Sequence, residues 1–578
     1  MTQNYVVKET DVLVVGGGLA GLWAAIRAKD MAPRVTLAEK GKVSRSGASV
    51  FCHSTRAPLP ENQFDVWLKE TVERSGYLAD QKLAEIIILE NNKRIRDMER
   101  WGVIFDRDEK GSLRAECVRG EKTVRSISFQ GKQMMETMRN VALGKGVEFA
   151  ERVMIIDLLT SDGQHPTKGH IVGAVGLHTR TGDVIIFKCG AVIISSGGTS
   201  AKVHCHYADN ITGDGLAMAF RAGADMLNME FAANPSFGNW ERKFNTGGQQ
   251  QFLMNGARII NRHGERFLTK YPAWARSEEP EFEGNVEFGD LCRAMAIELL
   301  EGRGPVYFDL RSWSQENIRK MRRVLPVTMA AFDAAGIDVS KQPIECTPMM
   351  VNYGMSTSAG IRVDVNFQST VPGLFATGVC AMIGAGQKPQ AVCNVTGYVS
   401  GEKSAALAGS NKMPSQEQVS KIAQRVLAPL QRGKGPLADE VYDRLNRIVM
   451  PYEISLFKEE TRLRRALGTL RNIVAEQLPV VRARNPHELV KANEVRSYAQ
   501  MLLLMLSGAL ERKESRFGHY REDYPYSDDI NWLKWTVASS DENGEIKLET
   551  EPVVLPLYRP EEPSRIPARI QFTFGKGR

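Results

Sequence analysis

An α/β chain is predicted from the 578 residues, with a Rossmann-like first part, a mixed α+β insertion and a helical C-terminal part. Three observations carry this expectation. A glycine-rich turn near the N-terminus joins a short apolar run to an Ala-rich stretch. The middle of the chain is irregular and loop-rich. Beyond Met413, stretch after stretch has its apolar residues at helical spacing.

The N-terminal unit is Asp11 to Glu39, DVLVVGGGLAGLWAAIRAKDMAPRVTLAE. Val12 to Val15 has the length and β-branching of a buried parallel strand. Gly16, Gly18 and Gly21 form G-x-G-x-x-G, Leu22 to Met31 continues as helix, and Val35 to Ala38 is a second strand ending at Glu39, 18 positions after the last glycine. The first glycine permits the tight turn, the second lets a pyrophosphate approach the backbone, and the third lets helix and strand pack closely. Leu19 and Ala20 sit at the helix N-terminus, where free N–H groups and the dipole favour an anion. A carboxylate at the end of the second strand suits ribose hydroxyls. Strand, turn, helix and acid together imply a bound adenine dinucleotide; the alternative is a glycine-rich turn that holds no ligand.

Further along, Gln63–Arg74 and Leu83–Trp101 read as helices, Trp101 to Phe105 as a stop followed by a strand, and Met134–Val141 as a helix. Val147–Phe149 and Val153–Ile156 read as strands, and Ile171–Leu177 with Val184–Phe187 as a hairpin turned by Thr181-Gly182-Asp183. Ala191 to Gly198 is a buried strand ending in glycines. From Ala232 to Met350, Gly/Gln/Asn-rich and acidic loops break up the strands, which favours a lid over a scaffold. Lys412-Met413-Pro414-Ser415 reads as a linker; Glu417–Leu430, Asp439–Ile448, Leu463–Glu476 and Pro486–Glu511 read as a helical bundle. The tail Pro560–Arg578 fits a docking arm or a disordered end alike.

Composition excludes several classes. Charged residues make up 25%, net charge is +7 and mean hydropathy is −0.28, with no basic stripe for nucleic acid. No apolar run reaches the ~18 residues of a membrane span, and the N-terminus lacks a secretory pattern, so the cytoplasm is expected. The eight cysteines are scattered without C-x-x-C, as expected of reduced thiols rather than disulfides, a metal site or a cluster.

Several motifs resemble the flavoprotein subunits of succinate dehydrogenase, fumarate reductase and adenylylsulfate reductase. Glu39-Lys40 precedes the small-residue loop Arg45-Ser46-Gly47-Ala48-Ser49, Thr212-Gly213-Asp214-Gly215 opens a helix, and Met229-Glu230-Phe231 matches a family strand. Gly373 to Gly378 matches G-L-[FY]-A-x-G, Gly197-Gly198 a cofactor loop, and Glu514 to Pro525 with Asn531 to Lys534 the C-terminal signature. The resemblance implies FAD, a capping domain over the flavin and an iron–sulfur partner subunit, with membrane contact only through partners. It divides the chain into residues 1–231 (FAD domain, first part), 232–350 (capping domain), 351–411 (FAD domain, second part), 412–535 (helical domain) and 536–578 (extension). It assigns cofactor contacts to Gly16, Gly18, Leu19, Ala20, Gly21, Glu39, Lys40, Arg45, Ser46, Gly47, Val153, Gly197, Gly198, Asp214, Gly378, Asn394 and Val399.

The family's dicarboxylate clamp is altered. Its two histidines correspond to Asn234 and Asn352, its substrate arginine to Val395, and its general-acid arginine to Leu291, with Arg293 two residues on. Loss of cationic donors implies a substrate other than a C4 dicarboxylate. Arg45 at the flavin-linking histidine's position implies non-covalent FAD, and Val379 replaces an acid expected near the ribityl chain. Candidates for acid–base or substrate work are His204, His206, Arg258, Arg293 and Tyr353, with Asn234, Asn352 and Lys388 in the pocket. His204 and His206 are as readily plain loop hydrogen-bonders. The expected function is hydride exchange between a small substrate and flavin N5, with electrons passed to the iron–sulfur partner. The alternatives are an enzyme of a sulfur compound, as in adenylylsulfate reductase, or a flavin subunit that only relays electrons.

Overall fold

The structure is a computed structural model and describes residues 5–57, 63–117, 123, 125–200, 210–232, 236–238, 250–272, 275, 283, 286–349, 357–384, 389–409 and 412–574. At its centre is a five-stranded parallel sheet, in the order Leu374–Ala376, Ala191–Ile194, Val12–Val15, Val35–Glu39 and Glu148–Glu151. Val12–Val15, the middle strand, is wholly buried, as its unbroken apolar run requires. Helix Leu19–Lys29 packs against helix Pro389–Ala405, where Gly397 and Gly401 let the two backbones approach at Ala20 and Ala24. A second sheet holds the predicted hairpin, Ile171–His178 with Val184–Lys188, flanked by Val153–Thr160 and Val6–Glu9.

The insertion is mixed, as its irregular sequence implies. Ser236–Gly238, Ile344–Met349, Val306–Asp309 and Arg258–Ile260 form an antiparallel sheet, accompanied by helices Gln250–Met254, Phe288–Leu300, Gln315–Val324 and Pro326–Ala334. The C-terminal helices are Gln416–Leu427, Ala438–Val449, Glu460–Glu476 and Pro486–Glu511. The last begins with Pro486 after Asn485, whose side chain caps the amide of Glu488.

Three expectations are corrected. Trp101 to Phe105 forms no strand; Phe105 makes a single bridge to Phe129. Met229–Phe231 is a 3₁₀ turn rather than a strand, because Asn228 adopts left-handed φ 54° and ends the short strand Met226–Leu227. The turn aims Glu230 at Arg512, whose Nε lies 2.5 Å away, with both side chains fully buried. The tail folds back on the molecule: Arg565–Pro567 pairs with Tyr526–Asp528, Ile570 is fully buried, and the Phe572 ring lies 4.9 Å from that of Phe457. Its Pro and basic residues conceal this apolar anchor, Ile570, Phe572 and Phe574.

The C-terminal signature acts structurally. Glu514 holds both Arg512 (2.8 Å) and Arg516 (2.9 Å), while Arg521 binds Asp523 and the carbonyl of Ala509. Hairpin Lys534–Ser540 and Ile546–Pro552 pairs with Met226–Leu227, which in turn pairs with Gly360–Ile361, stitching the chain's end to its first part.

Candidate functional site

One large cavity opens at the carboxyl ends of the central strands, where an open α/β sheet receives its ligands. Its lining brings together the glycine turn Val15 to Ala20, the strand end Ala38 to Lys40, the loop Ser46 to His53 (Val50 apart), and Val153 to Ile155. Ser195 to Gly197, Asn210 to Thr212, Asp214 and Met218 form another wall; Thr377 to Val379, Pro389, Gln390 and Cys393 complete it. The cavity holds about 1290 Å³ of space, part of it open to solvent, enough for a ligand larger than most metabolites.

The glycines act as their spacing implies. Gly16 has φ +110°, and a Cβ there would stand 2.6 Å from the Ser195 carbonyl oxygen. Gly18 is the helix N-cap and supplies no side-chain cap, which leaves that end of the helix to a ligand. A Cβ on Gly21 would run into the carbonyl of Gly16, so this glycine serves helix–strand contact and stands outside the lining. Ser49 Oγ accepts from the Leu19 amide at 3.1 Å, tying the small-residue loop to the turn.

Glu39 is preset. Its carboxylate accepts from the amides of Gly17 (2.7 Å) and Gly41 (2.9 Å); burial raises its pKa and those two bonds oppose the rise. Lys40 lines the cavity, but its ammonium is taken by Thr212 (2.9 Å), Asp214 (3.0 Å) and Glu494 (2.8 Å). Asp214 Oδ1 is buried without a hydrogen-bond partner, as is Thr199 Oγ1 nearby. A glycine cradle, a preset acid and an orphaned acceptor fit FAD, whose ribose, pyrophosphate and ribityl groups supply the complementary donors and charges.

Of the residues assigned from sequence, Gly16, Gly18, Leu19, Ala20, Glu39, Lys40, Ser46, Gly47, Val153, Gly197, Asp214 and Gly378 share this lining. Others stand apart. Arg45 is half-exposed and pairs with Glu136 at 2.9 Å. Gly198 receives the Gly213 amide on its carbonyl, Asn394 bridges Trp23 and Asn91, and Val399 packs on the core. Arg258 starts an edge strand of the insertion, half-buried, with its Nε unpartnered. Arg293 is buried, bonded to Asp290, with its guanidinium 4.8 Å above the Tyr520 ring. His204, His206, Asn234, Asn352, Tyr353 and Lys388 lie outside the described residues.

Sequence reasoning passed over Cys52, His53, Gln251 and Gln390. His53 lines the cavity, and its Nε2 lies 2.8 Å from the Gln251 amide nitrogen. Cys52 Sγ accepts from Gln390 at 2.9 Å. The signal was present as Phe51-Cys52-His53, directly after the small-residue loop. Among the described residues no three His, Cys, Asp or Glu side chains are grouped to hold a metal, and no helix is long and apolar enough to cross a membrane.

The chain matches the family model of the FAD binding domain over residues 11–390 and that of the fumarate reductase flavoprotein C-terminal region over 443–565. It is 26% identical over 553 residues to one of the subunits of the fumarate reductase (CoM/CoB) of Methanothermobacter marburgensis, covering 89% of this chain and 95% of that one. In fold it is similar to Escherichia coli quinol fumarate reductase FrdA, with TM-score 0.83 and 23% identity over 96% of this chain and 99% of that one. Adenylylsulfate reductase from Archaeoglobus fulgidus gives TM-score 0.79 and 22% identity over 97% of this chain and 100% of that one.

Proposed function

The chain belongs to the FAD-binding-domain family, with the C-terminal region of fumarate reductase flavoproteins, and from that premise we propose that it is the flavoprotein subunit of a two-part oxidoreductase acting on a small substrate other than a C4 dicarboxylate. That it is an FAD-dependent oxidoreductase follows from the family itself. One observation carries the finer reading: the loop that lines the cofactor cavity meets the insertion directly, through His53 and Gln251. A contact between the insertion and a residue of the cavity lining is what a substrate-enclosing lid needs and a plain electron relay does not.

The glycine turn, Glu39, Gly47, Asp214 and Gly378 would hold FAD, which supplies a hydride acceptor at N5. Arg45 faces Glu136 rather than the cavity lining, which supports FAD held without a covalent link. Helix Leu19–Lys29 orients the anionic part of the ligand and the insertion limits access of water. Val395 is fully buried in its helix, and Arg293 is engaged by Asp290. Neither offers the free cation that a dicarboxylate clamp requires. If electrons leave through iron–sulfur centres, those centres belong to a separate chain, since the eight cysteines here contain no C-x-x-C.

The test is anaerobic. The FAD-loaded protein is reduced chemically and fumarate is added while the flavin band is followed. The band is expected to stay bleached with fumarate and to return with another unsaturated or sulfur compound. Rapid return with fumarate would show that the altered pocket still accepts a C4 dicarboxylate and would refute the substrate reading.

A further inference from the structure

The cavity has two chemically different ends. Glu39, Lys40 and the glycine turn serve the anionic, ribose-bearing end. The other end is formed by the loop Ser46 to His53 and the start of helix Pro389–Ala405. Among the described residues, the titratable groups of the lining are Glu39, Lys40, Cys52, His53, Asp214 and Cys393. Most are committed: Glu39 to two amides, Lys40 and Asp214 to each other, Cys52 to Gln390. Burial pushes the Cys393 thiol well above its usual range. His53 is the described lining residue whose ordinary proton exchange falls near neutrality.

His53 is also held from two sides. Its carbonyl accepts the Phe129 amide at 2.9 Å, which anchors the loop to the first part of the fold. Its imidazole meets Gln251 from the insertion. A glutamine amide can donate through nitrogen or accept through oxygen, so one contact serves the neutral and the protonated ring. Of the described elements packed here, helix Gln250–Met254 carries no charged residue. Helix Gly131–Gly144, which abuts the loop through Gly131, turns Lys132 to solvent and pairs Glu136 with Arg45 and Arg139 with Glu151.

We infer that His53, positioned by Gln251, is the catalytic residue that takes and returns the substrate proton in this cavity; this rests on the reading of the site as a hydride-exchanging FAD centre. In the oxidising direction one substrate C–H bond would break with its electron pair. FAD, which the glycine turn, Glu39, Asp214 and Gly378 would hold, would supply the two-electron acceptor for that hydride. The neighbouring C–H or heteroatom–H bond then breaks, its electron pair forms the new double bond, and its proton passes to the imidazole. The substrate loses two electrons and two hydrogens: the hydride would go to the bound cofactor, and His53 takes the proton, which it later releases to water. Reduction of a substrate runs the same transfers backwards.

A readout that needs no substrate follows, because reduction of a flavin held in this cavity would add negative charge to a space that His53 lines and would favour its protonated form. Midpoint potentials of the FAD-loaded protein are measured between about pH 5 and 9, and protons taken up per two electrons are read from their pH dependence. Wild type is expected to take up about one more proton per two electrons than His53→Gln around neutrality. Gln251→Glu, which keeps the histidine and puts a carboxylate against it, is expected to move that extra uptake to higher pH. It decides the matter if His53→Gln fails to hold FAD. Equal proton counts in FAD-loaded wild type and His53→Gln, or an unmoved uptake in Gln251→Glu, overturn the inference alone. A wild-type chain that takes up no FAD overturns the proposed function with it.

Discussion

Lys458 shows how a single side chain in this molecule can be costly. It is 5% exposed, and its ammonium donates to the Ser455 carbonyl at 2.8 Å. Burial, followed by the nearby guanidiniums of Arg293 and Arg521, pushes its pKa down from 10.5 to about 7. Between those two values the unfolded chain binds more protons than the folded one, so unfolding free energy rises with pH across that window. The penalty is full below about pH 7 and fades towards 10.5. Lys458→Met is therefore expected to stabilise by about 2 kcal/mol near pH 6, and by clearly less near pH 9. Denaturant unfolding at the two pH values checks this; an equal gain at both would refute it. Neighbouring His519 obeys the same physics, 1% exposed and held well below its usual pKa by burial and by Lys458.

At the scale of elements, the junction between the cofactor site and the helical part is an ionic one. Lys40 follows the second strand, Asp214 starts helix Asp214–Ala222, and Glu494 lies within helix Pro486–Glu511. Removing the ammonium leaves two buried carboxylates facing each other without compensation. Lys40→Met should cost about 3–5 kcal/mol, and Lys40→Met combined with Glu494→Gln should recover part of that loss. A double-mutant cycle by chemical unfolding measures the coupling; strict additivity would mean that Lys40 and Glu494 do not act together. A similar junction joins strand Val153–Thr160 to helix Gln416–Leu427, where fully buried Asp157 bonds Arg425 at 2.5 Å and Arg221 at 3.3 Å.

For the whole molecule, the described part of the tail packs on the structure away from the lining of the cofactor cavity. Ile570, Phe572 and Phe574 pack against the core near Phe457, and the Phe572 amide donates to Tyr520 Oη at 3.2 Å. A chain ending at Glu562 should lose about 4 kcal/mol of stability from the exposed apolar surface. It should still bind FAD, since no described tail residue lines the site. Thermal unfolding with and without FAD separates the two effects: a lower midpoint that FAD still raises is expected. An unchanged midpoint would show that the tail contributes nothing.

What the sequence determined by itself was local in origin. Gly16, Gly18, Gly21 and Glu39 were legible because a βα turn fixes their geometry within one unit of chain. Pro486–Glu511 was legible because Asn485 and Pro486 mark its start whatever lies around it. The hairpin from Ile171 followed from alternation and turn chemistry in the same way. Tertiary structure alone decided what depends on distant partners. Arg293 looked free to meet a substrate, but folding gives it to Asp290 and Tyr520. Asn394 looked like a cofactor ligand, but it is spent on Trp23 and Asn91. His53 looked like nothing until Gln251, 198 residues away, closed over it. Periodicity reports which face of an element is apolar, while the partner of a polar side chain is set only when separate elements pack together.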